Sequence, residues 1–110
     1  MNITGGKFKS RKIDTIRNNL LRPTTNKLRQ SIFNILIHRF DFCTWNTQSN
    51  MLDPFAGSGS VSFEALSRGI RKATLIEKNK FIYKLICDNL KKLKSSQSTN
   101  VINKDFFDIK

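Results

Sequence analysis

The sequence predicts an α/β fold built on a parallel sheet, and three observations lead there. From Met51 onward, strand-like and helix-like segments alternate at the spacing of βα units. The first strand runs into Asp53-Pro54-Phe55-Ala56-Gly57-Ser58-Gly59, a Gly-x-Gly turn that opens a helix. An acid stands at the carboxyl end of each expected strand, Asp53, Glu77 and Asp105, on the edge where open α/β sheets bind ligands. With 110 residues there is room for one domain and one core, but little for a complete doubly wound sheet. The expectation is a single, incomplete domain.

Taken in order, Ile3-Thr4 and Lys7-Phe8-Lys9 read as short extended pieces around a Gly5-Gly6 turn, with Lys7, Lys9, Arg11 and Lys12 clustered just beyond it. This is a candidate basic hairpin; a solvated, partly frayed terminus is the plainer alternative. Pro23 pushes Arg22 out of helical geometry, and a threonine after it can cap a helix. From Asn26 to about Phe40, Leu28, Ile32, Leu36 and Phe40, flanked by Phe33, Ile35 and Ile37, form a broad apolar face, with Lys27, Arg29 and Gln30 opposite. His38 lies in this helix with no second ligand at metal-binding spacing, and polar residues 41–50 read as a loop anchored by Trp45.

The second half supplies the sheet. Met51 to Asp53 reads as a buried strand, and Ser60 to Arg68 as a helix with Val61, Ala65 and Leu66 inward and Gly69 ending it. Ala73 to Glu77 is the second strand. Ile82, Leu85, Ile86, Leu90 and Leu93 mark a lysine-coated amphipathic helix over Asn79 to Leu93. After a polar loop from Ser95 to Asn100, Val101-Ile102 leads to Asp105 as the third strand.

The acids decide which ligand suits the glycine turn. A dinucleotide fold brings backbone N–H groups to a pyrophosphate, which an adjacent carboxylate would repel. Asp53 suits instead a ligand with positive charge or N–H donors, such as the amino acid part of S-adenosylmethionine. Glu77 follows Gly59 by eighteen residues, close to the roughly 20-residue offset of a ribose-binding acid. Asp105 is placed to meet an adenine amino group, with Phe106 offering an apolar surface to the base. An NAD site fits less well, because Ser62 stands where the dinucleotide fingerprint has its third glycine and Asp53 precedes the turn.

A formal charge of +12 and a pI near 10.3 favour a polyanionic partner, nucleic acid first, although AT-rich coding sequence also enriches Lys, Asn and Ile. Cys43 and Cys87 are far apart among apolar neighbours, as reduced thiols packed inside would be. The chain has a single histidine and no metal constellation. Residues 1–12 lack the apolar segment of a secretory signal, and no apolar run reaches membrane-spanning length. The expected location is the cytoplasm.

These residues resemble the RsmD-type 16S rRNA guanine-N2 methyltransferases along essentially the whole chain. Ile3 to Lys12 is similar to the family's "IxGGxxxGRK" hairpin, with Ser10 for the usual glycine. Leu21-Arg22-Pro23-Thr24-Thr25 with Arg29 and Phe33 resembles "LRPTTxxxRExxFN", with Gln30 for Glu. Asp53 to Gly59, Glu64 to Gly69 and Ile76-Glu77-Lys78 match the cofactor loop, the helix after it and the ribose-binding strand end.

The resemblance implies a Rossmann-like class I S-adenosylmethionine-dependent methyltransferase fold, with residues 1–25 as an RNA-contacting hairpin and linker and 26–110 as the N-terminal half of the catalytic domain. It implies that Asp53, Phe55, Ala56, Gly57, Ser58, Gly59, Glu77, Lys78, Asp105 and Phe106 bind S-adenosylmethionine. Lys7, Lys9, Arg11 and Lys12 would grip phosphates of 16S rRNA or the small ribosomal subunit, with Arg22 near the substrate side of the pocket. One departure matters. The family's Asp/Asn-Pro-Pro-Phe/Tyr loop, which holds the target amine, is not in these residues, whose two prolines are Pro23 and Pro54. A chain truncated in this way would lack most of the rate and would expose the first strand's apolar edge. The alternatives are a basic RNA-binding module, an inactive remnant, or a fragment of a DNA amino-methyltransferase, although the last carries its Pro-Pro-Tyr loop ahead of the cofactor loop.

Overall fold

The computed structural model describes residues 2–14, 25–39, 49–94 and 98–109. Helix α1 (Asn26–Arg39) is followed by β1 (Asn50–Asp53), α2 (Ser60–Ser67), β2 (Lys72–Ile76), α3 (Lys80–Leu93), β3 (Thr99–Ile102) and a 3-10 turn, Phe106–Asp108. The strands pair in parallel in the order β1-β2-β3, with Met51 opposite Ala73 and Leu75 opposite Val101. Both crossovers step the same way along the sheet, and right-handed connections then put α2 and α3 on one face. Ala73 and Leu75 point into that layer and pack in one cluster with Phe63, Leu66, Ile82, Ile86 and Leu90.

The other face is where the expected burial fails. Asn50, Leu52, Lys72, Thr74 and Asn100 share it by register, and Leu52 is 56% exposed. The Met51–Asp53 strand is therefore half-buried rather than buried. Among the described residues it is paired on one side only, and no described helix covers its second face.

Helix α1 starts as expected, with Thr25 Oγ1 accepting from Leu28 N at 3.1 Å. Its inward face differs in part: Phe33 is buried as expected, but so is Arg29, while Leu28 and Ile35 are exposed. The helix is turned to bury Arg29 against Glu64, an ion pair that a hydrophobicity pattern does not register. Gly69, at φ 108°, follows α2. The Asn79 side chain caps α3 by accepting from Phe81 N and Ile82 N, and Lys91 and Lys92 complement the dipole in its last turn. Strand β3 begins at Thr99, so it takes two residues from the expected loop. Cys87 is half-buried rather than fully inside, and hydrogen bonding to it raises the Tyr83 phenol above its ordinary range. Arg22, Pro23, Cys43 and Trp45 lie outside the described residues.

Among its described residues the N-terminus pairs once as strand, at Asn2 and Lys12, with Ile3 N donating to Arg11 O at 3.0 Å and Ser10 N to Ile3 O at 2.8 Å. Residues 5–10 between them form a broad turn, so Lys7-Phe8-Lys9 is not the extended arm expected. The end of α2 sets that shape. Lys7 N donates to Ser67 O at 2.8 Å and Phe8 N to Ser67 Oγ at 2.9 Å. A Cβ on Gly6, whose φ is 79°, would lie 1.9 Å from the Ser67 carbonyl oxygen. Ile3 and Ile13, each 2% exposed, make the segment part of the core rather than a frayed end.

Ser10 holds φ 70°, which explains why glycine suits this position. Ser10→Gly is expected to raise stability by about 0.5–1 kcal/mol, relief of left-handed strain less the added unfolded-state entropy. A urea-unfolding midpoint at or below that of the unaltered chain would count against a strained Ser10.

Candidate cofactor-binding site

The loop after β1 is held from behind by residues that a ligand would not touch. Ser62, fully buried, donates its hydroxyl to Asp53 Oδ2 at 2.7 Å. Burial raises the Asp53 carboxyl above its ordinary range and the Glu77 charge adds to this, opposed by hydrogen bonds from Ser62 and from the backbone of Phe55. Ser62, whose hydroxyl replaces the third fingerprint glycine, is thus the residue that fastens the distinguishing acid. Ala56 N donates to Ile76 O at 3.1 Å, tying the loop to β2. At Gly59, φ is 82° and a Cβ would sit 3.0 Å from the Phe63 ring and 3.3 Å from Leu75. Glycine is required there for the loop to lie on its own sheet.

Glu77 closes the arrangement from β2. Its Oε1 accepts from Gly57 N at 3.0 Å and its Oε2 from Asn79 N at 2.8 Å. Its backbone is held as well, since Glu77 N donates to Ile102 O at 3.0 Å and Asn103 Nδ2 donates to Glu77 O at 2.9 Å. Beyond β3, Asp105 Oδ1 accepts from Phe107 N at 3.0 Å and caps the 3-10 turn. That turn sets Phe106 and Phe107 against Phe55, with ring centroids 5.6–5.9 Å apart.

Together these elements enclose a cleft of about 400 Å³. Phe55, Gly57, Glu77, Lys78, Asp105 and Phe106, all expected at the site, line it. Asp53, Ala56, Ser58 and Gly59 do not; they build the loop that shapes it, with Ser58 and Gly59 buried. The lining also includes Pro54, within the expected cofactor loop, and Ile76, at the expected ribose-binding strand end, together with Asn79, Ile82, Lys104 and Phe107, to which no motif points. Asn79 and Ile82 carried a usable signal, a cap and an inward position in the first turn of the helix that starts at the site.

The cleft suits a nucleoside. Each Glu77 oxygen accepts one backbone N–H and keeps capacity for a hydroxyl donor. Ile76, Ile82 and Phe106 add apolar lining to the same cleft as Glu77 and Asp105, and the volume lies in the range of small-molecule sites. Among the described residues no group of three or more His, Cys, Asp or Glu side chains could hold a metal ion, and no helix is long and apolar enough to cross a membrane.

Lys7, Lys9, Arg11 and Lys12 are exposed, with the Lys7 ammonium 5.0 Å and the Arg11 guanidinium 5.9 Å from the Phe8 ring centroid. Their segment docks where α2 and α3 end: on Ser67, and through Arg11 Nη2 on Lys92 O at 2.7 Å. The cleft lies where those helices begin, so the basic turn and the cleft occupy opposite edges of the sheet. A second cluster, absent from the expected site, anchors the basic turn to α2. Glu64 on α2, fully buried, accepts from Thr4 N at 2.9 Å, Gly5 N at 3.0 Å, Arg68 Nε at 2.9 Å and Arg29 Nε at 3.4 Å.

A family model described as "Conserved hypothetical protein 95" matches residues 1–109. "Ribosomal RNA small subunit methyltransferase D" of Haemophilus influenzae is 38% identical over 107 residues, covering 96% of this chain and 52% of that protein. The Escherichia coli protein of the same name is 37% identical over 101 residues, covering 92% of this chain and 48% of its own length. The solved structure "Putative methyltransferase yhhF from Escherichia coli" superposes with a TM-score of 0.80 at 32% identity, over 96% of this chain and 53% of that one. The chain spans about half the length of the curated relatives it matches.

Proposed function

The chain belongs to the family described as conserved hypothetical protein 95, the RsmD family, and from that premise we propose that it is the cofactor-binding part of a methyltransferase that uses S-adenosylmethionine to methylate a guanine N2 in small-subunit rRNA. The observation that carries this reading is Glu77, fixed by Gly57 N and Asn79 N at the floor of the cleft. When bound, the cofactor supplies an electrophilic methyl group on a sulfonium.

The residues of this chain divide the binding. Glu77 accepts from the ribose hydroxyls, and Asp105 and Phe106 hold the adenine. Phe55, Gly57 and Lys78 line the cleft around them. Asp53, Ala56, Ser58 and Gly59 keep the loop in shape and its acid facing the amino acid part of the ligand. Lys7, Lys9, Arg11 and Lys12 hold rRNA phosphates, with Arg22 on the substrate side. An rRNA target places the work in the cytoplasm.

No Pro-Pro loop stands in these residues to orient the target amine. The expected result is therefore binding without turnover: calorimetric titration of the 110-residue chain detects S-adenosylmethionine, while radiolabelled methyl transfer to small ribosomal subunits stays at background. Robust turnover would refute the claim that the orienting loop is needed, and absence of binding would remove the cofactor assignment and favour a basic RNA-binding module.

A further inference from the structure

We infer that the solvent face of α3 is a nucleic-acid-binding track, carrying RNA from the basic turn at one edge of the sheet to the cleft at the other. The inference rests on RNA being the partner, as proposed above. The geometry asks for such a track, because the two sites meet opposite ends of one helix. Asn79 and Ile82 bring the start of α3 to the cleft. At its end, Arg11 Nη2 donates to Lys92 O, and Asn89 exchanges hydrogen bonds with the backbone of Asp14 at 3.0 and 3.1 Å. Asn79 and Lys92 lie thirteen residues apart along this helix, about 20 Å at 1.5 Å per residue. A strand gripped at the turn must cross that distance to reach the cofactor.

The face it would cross is suited to it. Phe81, Lys84, Asp88 and Lys91 recur at helical spacing and are exposed, with Lys80 beside the start and Lys94 beyond the end. Among the described residues, none of these lysines is in an ion pair. The helix dipole accounts for cations in the last turn, but disfavours Lys80 at the first. Phe81 is 79% exposed, so it adds nothing to the core. An accessible ring among lysines is the arrangement that stacks an unpaired base while cations follow the backbone. A lone aromatic is too little apolar surface for a membrane-inserting helix.

The test is fluorescence anisotropy of the full chain with a labelled single-stranded RNA of about 20 nucleotides across a salt series. Phe81→Ala is expected to weaken binding about ten-fold with an unchanged salt slope. Lys84→Gln/Lys91→Gln/Lys94→Gln should reduce that slope by about 2, three phosphates at ~0.7 each. If both variants bind as the unaltered chain does while Lys7→Gln/Lys9→Gln binds weakly, the track is wrong and the RNA reading stands. If the unaltered chain does not bind RNA, both fall. Equal losses for phosphatidylserine vesicles and RNA would also overturn the track, assigning the face to anionic surfaces in general.

Discussion

Glu77→Ala is expected to lower the affinity for S-adenosylmethionine by about a hundred-fold or more. Two ribose hydroxyls lose a charged acceptor, each such bond contributing about 1.5–3 kcal/mol, and every 1.4 kcal/mol is a factor of ten. The loss also reaches the loop, since Gly57 N and Asn79 N both donate to this carboxylate. Affinity for RNA should not fall, because the substitution removes none of the cations of the basic turn or of α3 that would hold it. Titration calorimetry decides the first part and anisotropy with labelled RNA the second. Cofactor affinity within about threefold of the unaltered chain would mean that the cleft is not where the cofactor binds.

The largest expected effect on stability comes from Arg29. It is 1% exposed and faces Glu64, which has no exposure at all. Arg29→Ala leaves that carboxylate buried with only part of its compensation, a change that typically costs about 3–5 kcal/mol, against a total near 5–15 kcal/mol for a domain. Arg29 Nη2 also donates to Asn2 O at 2.6 Å and Asn26 Oδ1 at 2.5 Å, so the N-terminal turn should loosen with it. The double variant Arg29→Met/Glu64→Gln should recover part of the loss, because both charges leave together. Equal urea midpoints for Arg29→Ala and the unaltered chain would sink this account.

The same cluster makes a prediction about pH. Burial acts most strongly on Glu64 and favours its neutral form, but hydrogen bonds from Thr4 and Arg68 together outweigh it and hold the carboxyl below its ordinary value of 4.5. A depressed carboxylate stabilises the fold above that ordinary value and loses its contribution as pH falls through the depressed one. Acid unfolding should therefore include a component starting below about pH 4.5 that Glu64→Gln lacks, measurable as a flatter dependence of the urea midpoint on pH.

These predictions divide along what the sequence makes legible. The βα alternation and the strand-tip acids were readable because both follow local rules, period and position. Glu77 could be placed from its offset after the glycine turn, and Asp105 from its position after the third strand. Arg29 and Glu64 could not, because helical periodicity sorts charged residues outward and nothing local says that two of them meet. The same limit explains the turn at residues 5–10, whose shape comes from the end of a helix some sixty residues away. β1 is less buried than its apolar pair implies, because such a pair signals a strand but does not say how many neighbours the strand has. Phe107 reached the cleft through the cap at Asp105, a short-range device that sequence does encode.

The docking of the first turn on α2 also bears on how the protein is made. Thr4 and Glu64 are 60 residues apart, so at 5–20 residues per second a ribosome needs about 3–12 s to deliver the partner after the turn has been synthesised. For that interval Ile3 and Phe8 have no α2 to pack on, and the cations of the turn stand without the carboxylate that anchors it. The turn is thus made well before the helix that shapes it, and its folded form has to wait for that helix.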